Sequence, residues 1–405
     1  MRVVKKLLKI LAALVVLLIT AIAAILGLLR LEHGFAVTLP EPTGQFPVGR
    51  AMFHWVDNAR TDNLAPVSNQ KRELIVWIWY PATAKTPAQA AEYQPAPWRA
   101  AVVNEQGTLM SKFFTRDEAL VRAHSLESPD VSSAQHTYPV VLMKSGIGAL
   151  ATDYTTLAED LASHGFVVVG SDSPYSTFVV VFPDGRIAKR TPAGNPPEDL
   201  DEAARKRVAS ELVKVWSGDT RFELDQLERL NSADPSGKFA GRLDLASVGV
   251  FGHSFGGATA AQFCHDDARC RAGIDMDGQP FGNVMQEGLS QPFLYLMSDH
   301  SNEKGEDSRQ ILANIKSICD SDKAGCQTAT VLGARHFNFS DQSLLKDRYL
   351  GRISGMLGPV GERRGLAIAA ACVDTFFEIH LKNAPAERLR SLSGEYPEIR
   401  FEPRR

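Results

Sequence analysis

The stretch Leu245-Ala246-Ser247-Val248-Gly249-Val250-Phe251-Gly252-His253-Ser254-Phe255-Gly256-Gly257-Ala258-Thr259-Ala260-Ala261 changes character in its middle. Up to Phe251 it is apolar and β-prone, as in a strand covered on both faces. After Ser254 it is rich in alanine and reads as a helix. Between the two lies Gly252-His253-Ser254-Phe255-Gly256, a match to G-x-S-x-G, the nucleophile elbow. The glycines permit a tight strand-to-helix turn that a Cβ would obstruct, and the serine hydroxyl is left at the top of the sheet. The Phe255 N–H then points to where an oxyanion develops, helped by the N-terminus of the following helix. The bare pentapeptide also arises by chance in tight turns, but here the segments on both sides supply the strand and helix that the motif requires.

Working outward, the same alternation recurs. Ala51 to Val56 and Glu73 to Tyr80 read as strands, the second almost continuously apolar, with Trp77 and Trp79 as packing residues. Pro139 to Met143 is a strand ending in Lys144-Ser145-Gly146-Ile147-Gly148. A helix over Thr152 to Ser163 and a buried strand over Phe166 to Gly170 follow. Short strands recur at Ala272 to Met276, Phe293 to Met297 and Thr328 to Leu332. This order argues for an α/β protein with a mostly parallel central sheet and helices on both faces. With the elbow it gives the α/β-hydrolase fold. Asp199 to Asn231 carries apolar stripes at helical spacing on either side of Gly218 and reads as a helix pair. Residues 82–137, rich in Ala and Pro, read as irregular and fold over the site as a partial cap. The domain reading is an N-terminal segment over 1–31, a linker over 32–50, and a catalytic domain over 51–405 with insertions near 82–137 and 178–240.

A serine hydroxyl needs a base to remove its proton. Of 10 histidines, His336 in Gly333-Ala334-Arg335-His336-Phe337-Asn338-Phe339 stands just past the last strand, where the order Ser, acid, His places it. His300 lies in the turn after Asp299, His265 and His380 fall on helices, and His253 inside the elbow packs or hydrogen-bonds structurally. For the acid, Asp277 and Asp299 close neighbouring strands, and either end presents a carboxylate to His336. Many α/β-hydrolases place the acid one strand later, which favours Asp299, so pattern alone leaves the two open.

The N-terminus carries a targeting signal. Arg2, Lys5, Lys6 and Lys9 precede a charge-free run of 20 residues, Ile10 to Leu29. As a helix it covers about 30 Å, a bilayer core. An uncleaved anchor is favoured, with the basic end inside and the catalytic body outside the cytoplasm. The rival is a signal peptide cleaved near Ala21-Ile22-Ala23, although the apolar run continues through Leu29. Lys and Arg total 44 against 47 Asp and Glu, so no basic surplus points to nucleic acid. Cys264 with Cys270, and Cys319 with Cys326, have the spacing of local disulfides in an exported protein. Cys372 falls on the apolar stripe of a C-terminal helix. No His/Cys/Glu cluster has metal-ligand spacing, so no metal or organic cofactor is expected.

Gly252-His253-Ser254-Phe255-Gly256-Gly257-Ala258 resembles the elbow of the plasma-type platelet-activating factor acetylhydrolases and their bacterial relatives. The likeness continues in Arg271-Ala272-Gly273-Ile274-Asp275-Met276-Asp277-Gly278, where the family has its acid 23 residues after the serine, and in His336-Phe337-Asn338-Phe339. Weaker echoes are Gly146-Ile147-Gly148-Ala149, Val48-Gly49 and Trp79-Tyr80-Pro81. The resemblance implies Ser254, Asp277 and His336 as a triad, with the Ile147 and Phe255 amides as oxyanion hole, and so favours Asp277 over Asp299. It also implies an ester hydrolase acting on short or oxidised acyl chains of phospholipid-like esters. The alternatives are a small-ester or polyester hydrolase of the same fold, or, in a different class, a membrane-tethered binding protein that has lost the chemistry. The stretches 82–137 and 178–240 resemble nothing in the family.

Overall fold

The computed structural model describes residues 2–83, 89–195, 197, 200–301, 306–321 and 325–402. Parts of both insertions (84–88, and 196, 198 and 199) and the last three residues lie outside this set. Ten strands form one sheet: β1 (Val48–Thr61), β2 (Lys71–Pro81), β3 (Leu126–Glu127), β4 (Tyr138–Lys144), β5 (Val167–Asp172), β6 (Leu243–His253), β7 (Cys270–Met276), β8 (Phe293–Met297), β9 (Gln327–Val331) and β10 (Ile399–Phe401). Their spatial order is β10-β9-β8-β7-β6-β4-β5-β2-β1-β3. From β5 through β9 every neighbouring pair is parallel; β2 pairs antiparallel with both β1 and β5, and β10 with β9. This is the mostly parallel α/β-hydrolase sheet that the sequence predicts.

Helices are α1 (Arg2–His33), α2 (Ala96–Gln106), α3 (Thr155–Ser163), α4 (Glu202–Ala233), α5 (Phe255–Asp266), α6 (Glu306–Ser321) and α7 (Glu362–Lys382). The period-2 rule explains how the apolar strands feed two layers. Val141 and Met143 of β4 pack on one face with Leu157 and Leu161 of α3 and Phe377 of α7. Val140 and Leu142 turn to the other face, with Leu224 and Leu227 of α4 and Phe263 of α5. Strand β2 divides in the same way: Trp77 and Trp79 join the first layer, Val76 and Ile78 the second. Each such buried side chain contributes about 1.5–3 kcal/mol.

Three sequence readings differ from the structure. The helix pair over 199–231 is one continuous helix, α4, with Gly218 inside it. A Cβ on Gly218 would lie 2.9 Å from Arg60 Nη1, and Arg60 Nη2 donates to Asp219 Oδ1 at 2.9 Å. The glycine admits a crossing guanidinium and does not break the helix. Strand β1 begins at Val48, inside the stretch read as linker, because it pairs with β2 as far as Pro81. The stretch 82–137, read as irregular, contains α2, whose Trp98 packs edge-on against Trp77. The apolar run of α1 is largely exposed up to its C-terminal end, where His33 is buried, and its size and composition fit a membrane span or a signal sequence. Disulfides join Cys264 to Cys270 and Cys319 to Cys326, and Cys372 is buried.

Candidate active site

The sequence-predicted residues gather at the carboxyl ends of the parallel strands, where open α/β sheets carry their sites. Ser254 sits between β6 and α5 with φ 58° and ψ −124°, in a region that L-residues rarely adopt. The surrounding packing enforces it. A Cβ on Gly252 would lie 2.1 Å from Gly256 O, and one on Gly256 2.2 Å from Lys144 O. The Ser254 N–H donates to Met276 O at 2.8 Å, which locks the elbow to β7.

Asp277 follows β7, also at positive φ, and its carboxylate is almost fully enclosed. His336 Nδ1 lies 2.7 Å from Asp277 Oδ2, while Oδ1 accepts from Ser298 N–H at 2.9 Å and meets His300 Nε2 at 3.0 Å. Burial alone would raise this carboxyl, but the hydrogen bonds and charges of His300 and His336 outweigh it and hold it well below the usual range. Two residues earlier, burial pushes the Asp275 carboxyl well above its ordinary range, and it accepts from Gly278 N–H at 2.8 Å. Asp299, the alternative acid, faces elsewhere. Its carboxylate accepts from Ser301 N–H at 3.0 Å and from Gly333 N–H at 2.9 Å. Sequence reading left His300 out because it stands in a turn. The structure folds that turn back onto Asp277, a contact that no spacing rule encodes.

The Ile147 loop lies beside the serine: a Cβ on Gly146 would stand 3.7 Å from Ser254 Oγ. The neighbouring amides are engaged, Gly146 N–H with the Tyr154 hydroxyl at 3.3 Å, Gly148 N–H with Ser176 O and Ala149 N–H with Gly146 O. Phe255 opens α5, so its N–H is one of the donors that helical geometry leaves unpaired. The loop carrying His336 is braced by Asn338, whose side-chain oxygen accepts from Arg335 N–H at 2.8 Å and Gly358 N–H at 2.7 Å. His253, inside the elbow, is buried between Tyr154 and the base loop. Burial first, then the charge of His336, lowers its pKa to about 3.

Next to the Ile147 loop a cavity of about 330 Å³ is lined by Gly148, Leu150, Phe178, Arg99, Arg116 and Lys346, among others. It reaches Arg30 near the end of α1. Lys346 also stands over the Phe337 ring, one residue from His336. A volume of this size suits a small organic ligand. Among the described residues, His164, Asp374 and Glu378 converge closely enough to suggest a metal site. Arg388 pairs with Glu378, however, and Lys382 Nζ donates to the main-chain oxygen of His164 at 2.7 Å, so protein cations stand beside the cluster.

Similarity to known proteins covers most of the molecule. A family model described as platelet-activating factor acetylhydrolase, isoform II, matches residues 33–174 and 205–388. A probable 1-alkyl-2-acetylglycerophosphocholine esterase of Arthroderma benhamiae is 24% identical over 388 residues, 90% of this chain and 93% of that one. The platelet-activating factor acetylhydrolase of Cavia porcellus is 26% identical over 253 residues, 55% of this chain and 53% of its own. Among solved structures, a ferulic acid esterase from Streptomyces cinnamoneus superposes with a TM-score of 0.76 at 29% identity, covering 91% of this chain and all of that one. The chain is a carboxylic ester hydrolase with the α/β-hydrolase fold, and it belongs to the platelet-activating factor acetylhydrolase, isoform II, family.

Proposed function

We propose that Ser254, His336 and Asp277 hydrolyse a carboxylic ester through an acyl-enzyme. The observation that carries this reading is the 2.7 Å contact of His336 Nδ1 with Asp277 beside a serine held at φ 58°. Asp277 accepts from Nδ1–H, which leaves Nε2 as the lone pair that takes the Ser254 proton. As Oγ bonds to the carbonyl carbon, the Ile147 and Phe255 amides stabilise the oxyanion. His336 gives its proton to the leaving alcohol, and the C–O bond breaks. Water, deprotonated by His336, then attacks the acyl-enzyme and releases the acid and the free serine.

The substrate proposed is a short or oxidised acyl group on a phospholipid-like ester. The cations around the cavity support an anionic leaving group, and Arg30 at its edge supports access from the side of α1. The protein is proposed to remain anchored by α1 with its catalytic body outside the cytoplasm; secretion after cleavage is the alternative. The likeness to a ferulic acid esterase favours a second reading, hydrolysis of small soluble esters. A panel of phospholipids and small esters separates the two readings. Ser254→Ala tests both: it should fold, lose labelling by a fluorophosphonate and lose turnover. Full labelling at another serine, with hydrolysis retained, refutes the assignment.

A further inference from the structure

Tyr154 and His253 are almost fully buried and lie between the three loops that carry the proposed machinery. Tyr154 precedes α3 and packs against His253, which ends β6 and whose ring packs on that of His336. Their contacts fix a direction of hydrogen bonding. His253 Nε2 is 2.8 Å from the main-chain oxygen of His336, which can only accept, so Nε2 carries the hydrogen. The ring is neutral at ordinary pH, so Nδ1 is a lone pair and needs a donor. Tyr154 Oη stands 2.8 Å from it and supplies the hydroxyl hydrogen. The hydroxyl oxygen then accepts from Gly146 N–H at 3.3 Å. One polar chain therefore runs from Gly146 N–H through Tyr154 O–H to His253, and from His253 Nε2–H to the His336 carbonyl. The His253 and His336 rings pack with centroids 4.4 Å apart.

We propose that Tyr154 and His253 are positioning residues that hold the oxyanion loop, the elbow and the base loop in register. This rests on the triad proposed above. The chain passes through all three parts of that machinery without touching the reacting atoms. It engages the Gly146 amide, so that the next amide, that of Ile147, is the one left for the pocket. It also ties the backbone of the base to the residue preceding the nucleophile. Displacements near 1 Å in such an arrangement cost about 10²-fold in rate, so a loss of turnover is expected where binding is little changed. Neutral packing of the two rings would predict no such loss when the polar atoms alone are removed.

The test uses the full chain with Tyr154→Phe, His253→Phe, His253→Gln and Ser254→Ala, assayed on one soluble ester with thermal melts in parallel. Tyr154→Phe and His253→Phe should each lower kcat by about 10–100-fold, with KM within about threefold. Glutamine offers both an amide donor and an acceptor, so His253→Gln should recover most of the kcat lost in His253→Phe. Parental kcat in both phenylalanine variants overturns the proposal, as does a glutamine variant no better than phenylalanine at equal melting temperature. Should His253→Phe fail to fold, nitrogen-15 NMR of the parent protein decides: a hydrogen on Nε2 supports the chain and one on Nδ1 overturns it. Ser254→Ala keeps the two readings apart. Parental hydrolysis by that variant refutes the triad itself, whereas its inactivity beside fully active phenylalanine variants refutes only the positioning role.

Discussion

The ends of β7 and β8 are neighbours in the sheet, and each closes with an aspartate, yet the two carboxylates do different work. Asp277 meets two imidazoles and one backbone amide, that of Ser298. Asp299 meets backbone: the Ser301 and Gly333 amides occupy its oxygens, and its own carbonyl accepts from Arg335 Nη1 at 2.6 Å. Both carboxyls lie below their ordinary pKa against the pull of burial, the first through two histidines, the second through the Ser301 hydroxyl, then the Gly333 and Ser301 main-chain N–H groups and the charge of Arg335. A strand end therefore does not assign a role by its residue type. What each carboxylate meets is set by loops from other strands: Asp277 receives His336 from the loop after β9 and His300 from the loop after β8, whereas Asp299 receives Gly333 from the start of the loop after β9.

This contrast is broken or sharpened by four measurements. The largest effect is expected for Asp277→Asn, which should keep the fold and lose about 10⁴ in kcat/KM, the magnitude of an acid-to-amide change that reverses the imidazole tautomer. An active Asp277→Asn beside a crippled Asp299→Asn would invert the comparison. Next, the Cys319–Cys326 bridge stands just before β9, whose Gln327 pairs with Leu294 near the start of β8, at the end of the strands away from Asp299. Replacing both cysteines by serine should cost about 2–3 kcal/mol of stability and little turnover, as read by denaturant melts; an unchanged midpoint removes the bridge from the account.

The third concerns pH. His253 titrates near pH 3 in the fold, because burial and His336 disfavour its charge, and near 6.5 when unfolded. Between those values the unfolded chain binds more protons, so stability falls as pH drops through that window, by at most about 1.4 kcal/mol per unit. His253→Gln should flatten this part of the stability profile, and a variant with the parental acid slope refutes the assignment. The smallest change is expected for Asp299→Asn, a loss in kcat/KM of tenfold or less. The amide oxygen still accepts from Gly333 N–H, and one unit of 1.4 kcal/mol corresponds to tenfold. A much larger loss on the same ester would place Asp299 in the chemistry.

Much of the site was legible because its constraints are local. The elbow requires a glycine at 252, where a Cβ would meet Gly256 O within the same five residues, although the oxygen that Gly256 meets, Lys144 O, comes from β4. The sequence points to His336 by its place after the last parallel strand, and in the structure its Nδ1 meets Asp277. The acid was harder, since both aspartates satisfy the same local rule, and resemblance rather than pattern favoured Asp277. His300, Tyr154 and the brace by Asn338 were not assigned roles, because each meets a partner on a separate segment: Asp277, His253 and Gly358. The Gly218 reading failed for a related reason: a glycine signals missing volume, and only the crossing of Arg60 shows what fills it.

By itself the sequence determined the alternation of strands and helices, the parallel sheet and the strained serine turn, because periodicity and backbone sterics act within one segment. It also set the pairs of cysteines six and seven residues apart that the fold joins. Only the tertiary structure decided which aspartate faces the imidazole, which ring nitrogen of His253 carries the hydrogen and how α4 runs unbroken past Arg60. Those outcomes depend on hydrogen-bond directions and close approaches between segments 80 or more residues apart in most cases, such as His253 with His336 and Tyr154 with His253. A directional contact across such a separation exists only once the sheet has brought both ends together.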